Sequence, residues 1–364
     1  MVLVVSVIIG FLAGLVGELW VNSLLAPEIK FKNYQDLTKR LDQLISDKNS
    51  EIKNILTEQD YSFVETVESI SPMTVKIYKY KNPGVQLSNN YLDTDVLGSG
   101  FILTNDGWVM TSKQVISDPK VNYLVQVGDN VYPVQDIVSD MMTDAVMIKL
   151  DANDLPVVDL GSKNSLFLGQ SLLVYTLNEG LTKTSIASLN DVQFLKYNDL
   201  LQSSENFYHL IKLQGNFSEI SIGAPVVNLD GRVVGVLLDT DGSLLPIDYL
   251  VGAMKTIVQR GVVERNYLGV HYLDLSTAPN FKSEQSSGAY LISDGVRPAI
   301  IPKSPAAKAG LLAGDIIVKV EAEEVNTLHS LTSLIQDYPV GSQIKLNVLR
   351  GDTELEIDVV LEKI

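Results

Sequence analysis

His209, His271 and His329 are the only imidazoles in 364 residues, and there is no cysteine. This composition rules out a thiolate nucleophile, a disulfide and a thiolate metal site. The histidines show no metal-ligand spacing, so neither a metal nor a cofactor is expected. His209 sits in F-Y-H-L-I-K-L and reads as a structural or surface histidine on a strand. Two L-D-T-D strings, Leu92–Asp95 and Leu238–Asp241, lack the D-T-G that an acid protease would need and read as turns. One arrangement open to the remaining residue types is a hydroxyl with an imidazole in reach of it and a carboxylate that orients the imidazole.

The elements that would position such groups lie in the middle of the chain. Between residue 72 and about 250, short β-branched runs recur with turn signals between them. They include Met73–Tyr78, Gly100–Leu103, Trp108–Thr111, Tyr123–Val127, Ala145–Leu150, Ser171–Tyr175, Phe207–Leu213, Pro225–Val227 and Val233–Leu238. Asn82-Pro83-Gly84, Asn105-Asp106-Gly107 and Asp230-Gly231 supply turns. This spacing predicts an all-β sandwich or barrel. At roughly 100–200 residues per domain, the length allows two or three domains. Lys plus Arg number 28 against 44 Asp plus Glu, a formal charge of −16. So acidic a chain argues against sequence-independent nucleic-acid binding, which needs cations to displace phosphate counterions.

Five strings follow in order: Gly98-Ser99-Gly100-Phe101-Ile102, Gly107-Trp108-Val109-Met110-Thr111-Ser112-Lys113-Gln114-Val115, Thr143-Asp144-Ala145-Val146-Met147-Ile148-Lys149, Ile222-Gly223-Ala224-Pro225-Val226-Val227-Asn228 and Asp230-Gly231-Arg232-Val233-Val234-Gly235. As an ordered set they resemble the HtrA (DegP-like) family, trypsin-like serine proteases built on a chymotrypsin-like double β-barrel. The resemblance covers residues 70–260 and implies a triad. Its aspartate position falls on Asp144, its histidine position on Gln114 and its serine position on Ile222. Glutamine cannot act as a general base and isoleucine carries no nucleophile. Losing such a group can cost roughly six orders of magnitude in kcat. Where the family pattern has glycine two residues before the serine, this chain has Ile220, a residue type that resists positive φ. The expectation is a catalytically degenerate member, with Asp144 a triad remnant that pairs with Gln114 or another donor. The rival expectation is an active endopeptidase using a displaced hydroxyl, Ser221 or Ser218. No histidine stands near the Gln114 or Asp144 strings to serve as its base.

Residues 251–260 read as a helix, and residues 266–364 resemble a PDZ domain. The carrying motif is Ser304-Pro305-Ala306-Ala307-Lys308-Ala309-Gly310-Leu311-Leu312-Ala313-Gly314-Asp315. Ser304 can cap a short helix, Pro305 suits its first position and Gly310 its end. The resemblance implies that Tyr267-Leu268-Gly269-Val270 presents backbone N–H groups to a peptide's C-terminal carboxylate, the peptide adding as a strand. Leu328, Leu331 and Ile335 are expected on a second helix, lining the pocket or equally facing the core.

At the other end, Val2–Gly17 is apolar or small throughout, with Leu19, Trp20 and Val21 beyond Glu18. A helix over residues 2–21 would reach roughly 30 Å, enough to span a bilayer core. No basic region precedes it and no clear cleavage site comes after it, so a retained anchor over residues 1–26 is expected. Leu37, Leu41, Leu44, Ile52 and Ile55 give residues 34–58 one apolar helical face, either a self-associating stalk or a helix packed on its own domain. The full expectation is mainly β: an N-terminal transmembrane helix (1–26), a juxtamembrane helix (27–60), a double β-barrel (61–262) and a PDZ domain (266–364). Lys30 and Lys32 weakly favour a cytoplasmic side for the chain beyond the anchor. The resemblance outweighs them and implies a single-pass protein with its bulk outside the cell membrane, in protein quality control. Its implied partners are peptides or unfolded proteins, with trimeric self-assembly or hetero-assembly with an active relative. A non-enzymatic membrane scaffold with an unused groove is the third alternative.

Overall fold

The computed structural model describes residues 58–81, 91–192, 200–278 and 285–364. The anchor, and all but the last residue of the helix expected over 34–58, lie outside them. Among the described residues, no helix is long and apolar enough to cross a membrane. Residues 59–364 form one compact unit. It begins with α1 (Glu58–Ile70), whose Phe63 and Ile70 pack into the apolar layer between two barrels.

Six strands close the first barrel: β1 (Thr74–Lys79), β2 (Val96–Ile102), β3 (Trp108–Ser112), β4 (Tyr123–Val127), β5 (Asn130–Ser139) and β6 (Ala145–Leu150). Their order around it is β1-β2-β3-β6-β5-β4. Strands β3 and β6 are buried on both faces, and the period of two along a strand divides their side chains. Val109, Val146 and Ile148 fill the barrel, whereas Trp108, Met110, Ala145 and Met147 point into the layer shared with the second barrel.

The next strands are β7 (Ser171–Thr176), β8 (Gly180–Asp191), β9 (Leu201–Ser203), β10 (Leu210–Leu213), β11 (Pro225–Val227), β12 (Val233–Leu237) and β13 (Ser243–Pro246). All but β9 close the second barrel, in the order β10-β13-β12-β11-β7-β8. The strand expected at Phe207–Leu213 therefore starts three residues later. Phe207 instead stacks on Tyr249, with ring centroids 4.2 Å apart, and His209 is buried.

Helix α2 (Val251–Arg260) ends at Gly261, in the left-handed conformation that a helix stop favours. The remaining elements are β14 (Asn266–Tyr267), β15 (His271–Asp274), β16 (Ala289–Leu291), α3 (Pro305–Ala309), β17 (Ile316–Val320), β18 (Glu323–Glu324), α4 (Leu331–Gln336), β19 (Gln343–Arg350), β20 (Thr353–Val360) and β21 (Glu362–Lys363). As its motif predicts, Ser304 caps α3 by accepting the Ala307 N–H at 3.2 Å, and Gly310 ends it at φ +83°. The main sheet runs β20-β19-β17-β16-β15-β9, with β18 on β17. Strand β9 thus leaves its own barrel and adds to the edge of this sheet.

Candidate functional site

The ends of β3 and β6 and the turn before β11 meet at one rim between the barrels. The backbone makes the connection: Lys113 donates its N–H to the Asp144 carbonyl at 2.8 Å, and Ser99 donates its own to the Ile222 carbonyl at 2.8 Å. Thr111 Oγ1 donates to the Ser99 carbonyl at 2.7 Å, tying β3 to the same place. The three positions equated with a triad thus share a neighbourhood, but their side chains do different things. Gln114 is exposed. The Asp144 carboxylate is 69% exposed and lies 3.9 Å from Lys113 Nζ, so its charged neighbour is Lys113 and not Gln114. Ile222 is 7% exposed and belongs to the apolar core of the first barrel.

The turn itself is closed. Glu219–Ser221 forms one tight 3₁₀ turn, and the Ile222 N–H donates back to the Glu219 carbonyl at 3.1 Å. An amide spent inside a turn is not available to a developing oxyanion. Gly223 comes next at φ +83°, where a Cβ would come within 2.2 Å of the Ser99 carbonyl oxygen. The close packing of barrel on barrel therefore demands glycine there.

Two hydroxyls do converge on a base-like group. Glu179 Oε2 accepts from Ser218 Oγ at 2.6 Å and from Ser221 Oγ at 3.1 Å. Ser221 is only 3% exposed. Sequence reading passed over Glu179, since nothing in its local string marks it. His209 is no substitute base, because it is buried at the boundary with the C-terminal sheet domain. There its Nδ1 contacts Asn190 Oδ1 and its Nε2 lies 3.4 Å from Asp274 Oδ2. Among the described residues, no group of carboxylates and imidazoles could hold a metal ion.

The second candidate region is the loop over residues 267–270. Leu268 and Val270 are fully buried in the core of the C-terminal sheet domain, and Gly269 turns the chain at φ +84°. Burial, with the negative charges of Glu205 and Glu362 nearby, pushes the Tyr267 phenol above its ordinary pKa. Leu331 is buried in the core at the start of α4. Leu328 lies before that helix and not on it, and is 62% exposed. Its backbone N–H donates to Asn326 Oδ1 at 2.9 Å, and its carbonyl accepts from Lys163 Nζ at 3.2 Å.

The loop amides already have partners. Gly269 and Leu268 donate to Glu205 Oε1 at 2.9 and 3.3 Å, and Val270 donates to Ser204 Oγ at 3.1 Å. Sequence reading missed Gln202, Ser204 and Glu205. Q-S-S-E carries turn-forming residues and no strand pattern, so only its position between two barrel strands hinted at an insertion.

Two barrels in contact, each of six antiparallel strands, followed by a sheet domain with a glycine-turned amide loop, define a chymotrypsin-like fold joined to a PDZ domain. Residues 98–236 match the trypsin-like peptidase domain family, and residues 267–361 match the PDZ domain family. The chain is 30% identical over 285 residues to a probable periplasmic serine endoprotease, DegP-like, of Marinomonas sp., covering 73% of this chain and 57% of that protein. It is 25% identical over 327 residues to the serine endoprotease DegS of Haemophilus influenzae, covering 85% of this chain and 90% of that one. The fold is shared with the HtrA-type protease AlgW with tripeptide, at TM-score 0.59 and 20% identity, over 83% of this chain and 97% of that one. The chain is an HtrA-like protein, a trypsin-like peptidase fold carrying one described PDZ domain.

Proposed function

We propose that this chain is a pseudoprotease: an HtrA-like protein that binds peptides or unfolded protein C-termini through its PDZ domain and does not hydrolyse them. The observation that carries the reading is Ile222, a core side chain at the position where the family pattern has its nucleophile. Gln114 supports it, since an exposed amide cannot accept the proton of a hydroxyl attacking a carbonyl. The spent Ile222 amide supports it too, because acyl transfer gains much of its rate from such donors. Asp144 then serves the rim, near Lys113, without chemistry.

The names of the relatives, periplasmic endoproteases among them, favour an extracytoplasmic bulk and a place in protein quality control. Residues 1–26 are proposed as a retained single-pass anchor, on their apolar sequence alone. Trimeric self-assembly, or assembly with an active relative, would let an inert copy regulate proteolysis.

The rival reading is an endopeptidase whose nucleophile is Ser221, favoured by its contact with Glu179. A fluorophosphonate probe and an unstructured casein substrate separate the two. Neither labelling nor cleavage is expected. Labelling that disappears in Ser221→Ala would establish the rival. A groove that binds no free C-terminus would leave the inert scaffold.

A further inference from the structure

We propose that residues 201–205 are a built-in ligand of the PDZ groove, one that an incoming peptide must displace. The proposal rests on the peptide-binding reading above and assigns the regulation of that same site. Strand β9 pairs antiparallel with β15, with Ser203 opposite His271, Gln202 opposite Tyr272 and Leu201 opposite Leu273. The chain therefore runs toward the 267–270 loop, in the direction a bound peptide's C-terminus would take. Where its terminal carboxylate would stand, the segment supplies a side-chain carboxylate. Glu205 Oε1 takes the Leu268 and Gly269 amides, and the Ser204 hydroxyl takes that of Val270. The N–H groups of Leu268, Gly269 and Val270 are thus engaged from within the chain.

The occupant is built in place. Ser203 Oγ donates to Glu205 Oε2 at 2.8 Å and Ser204 Oγ to Oε1 at 2.6 Å, aiming the carboxylate at the loop. Thr332 Oγ1 on α4 donates to the Ser203 carbonyl at 3.4 Å, and the Ser204 N–H donates to the Val270 carbonyl at 3.1 Å. Being tethered, the segment sits at a high effective concentration and holds the groove against weak competitors.

It also carries a flaw that makes it replaceable. Gln202 is fully buried, and neither its Oε1 nor its Nε2 has a hydrogen-bond partner among the described residues. An unsatisfied buried amide costs stability that an apolar side chain in the same place would not. The structure therefore assigns a ligand class: a peptide with a free C-terminal carboxylate, strand-forming, with an apolar residue where Gln202 now sits. Its apparent affinity is reduced by the small fraction of molecules whose groove is open.

The test uses the full chain and a fluorescent peptide with the sequence of residues 197–204, leucine replacing the glutamine, ending in a free carboxylate. Its C-terminal amide is the control. Glu205→Ala removes the internal carboxylate and should bind the peptide about tenfold or more tightly than the native chain. Gln202→Leu repairs the flaw and should bind it about tenfold more weakly. Should Glu205→Ala not fold, Glu205→Gln carries the same comparison. The chain has no cysteine, so Ser203→Cys with His271→Cys offers a clean cross-strand disulfide, oxidised to abolish binding and reduced to restore it. Hydrogen exchange at the Leu268, Gly269 and Val270 amides should quicken in Glu205→Ala. Equal peptide affinity in all variants, with unchanged exchange, overturns the built-in ligand and leaves the peptide-binding reading standing. Faster exchange in Glu205→Ala without peptide binding by any variant supports the built-in contact and overturns peptide binding instead.

Discussion

Arg265 and Asp140, 125 residues apart in sequence, meet as a two-point ion pair that is almost wholly enclosed. Arg265 Nε donates to Asp140 Oδ1 at 3.1 Å, Nη2 donates to Oδ2, and Nη1 donates to the Tyr249 carbonyl at 2.8 Å. Asp140 lies in the β5–β6 connection of the first barrel, and Arg265 opens the segment that enters the PDZ domain. The pair clamps one domain to the other.

Breaking the clamp from one side should be far worse than removing both halves. Asp140→Ala leaves a buried guanidinium without its counter-charge, for which about 3–5 kcal/mol of lost stability is expected. Asp140→Leu combined with Arg265→Met should recover much of that loss, because no desolvated charge remains. Urea unfolding of the three chains measures both. A single variant as stable as the native chain would show that the pair contributes nothing.

The same carboxylate predicts an acid limit. Burial alone would push the Asp140 carboxyl up, but the hydrogen bonds and charge of Arg265, with Thr143 and the Met142 amide, outweigh it and hold the group below its ordinary value. A carboxylate whose folded pKa is depressed stabilises fully above its unfolded value of about 3.9. That contribution is lost as the pH falls through the lower folded value. Thermal melts from pH 7 down to pH 2.5 should show the native chain losing stability below about pH 4. Asp140→Asn, already weakened, should lose less over the same interval. Parallel curves would remove Asp140 from the cause.

Sequence pattern exposed the barrels because short β-branched runs recur between turn signals. Val109 and Met110 face different cores, so β3 begins with a continuous apolar run, without alternation. The capped helix α3 was equally visible, since Ser304 and Gly310 are chemically required where they stand. Strand β9 was not visible. Its three residues owe their conformation to the β15 edge, a partner 70 residues away that leaves no local signature. Leu328 misled for a related reason: its spacing from Leu331 fits a helix, but Ser330 is the cap, so the helix begins after Leu328. The triad positions could be aligned from sequence. That Ile222 fills a core and that Asp144 lies beside Lys113 depends on packing that no string encodes.

If Ile222 is core, truncating it should act as core truncations do. Ile222→Ala is expected to cost about 2–5 kcal/mol through lost burial and the cavity left behind. Joining Ile222→Ser to Gln114→His places a hydroxyl and an imidazole on the rim without rebuilding what surrounds them. The Ile222 amide would still close onto Glu219, and Ile220 packs against the cluster of Tyr78, Val96 and Leu124. Casein cleavage by this double variant should stay at background. Robust cleavage would mean that the turn reopens readily, and that the missing side chains alone separate the chain from an active protease.

Gly269 offers the sharpest test of the loop geometry, because two separate penalties fall on one substitution. In Gly269→Ala the backbone must hold φ +84°, which strains a residue with a side chain by about 1–3 kcal/mol. Its Cβ would also stand 2.3 Å from Ser304 Cβ and 2.9 Å from Ser304 Oγ, the atom that caps α3. Gly310→Ala isolates the first penalty, since Gly310 has φ +83° and nothing within 4 Å of the added carbon. Unfolding in urea should therefore show Gly269→Ala losing clearly more stability than Gly310→Ala. The loop amides should also exchange faster in Gly269→Ala, because displacing Ser304 moves the backbone that presents them. Equal losses in the two variants would mean that the loop yields at no cost, and that its amides are not held in place for a carboxylate.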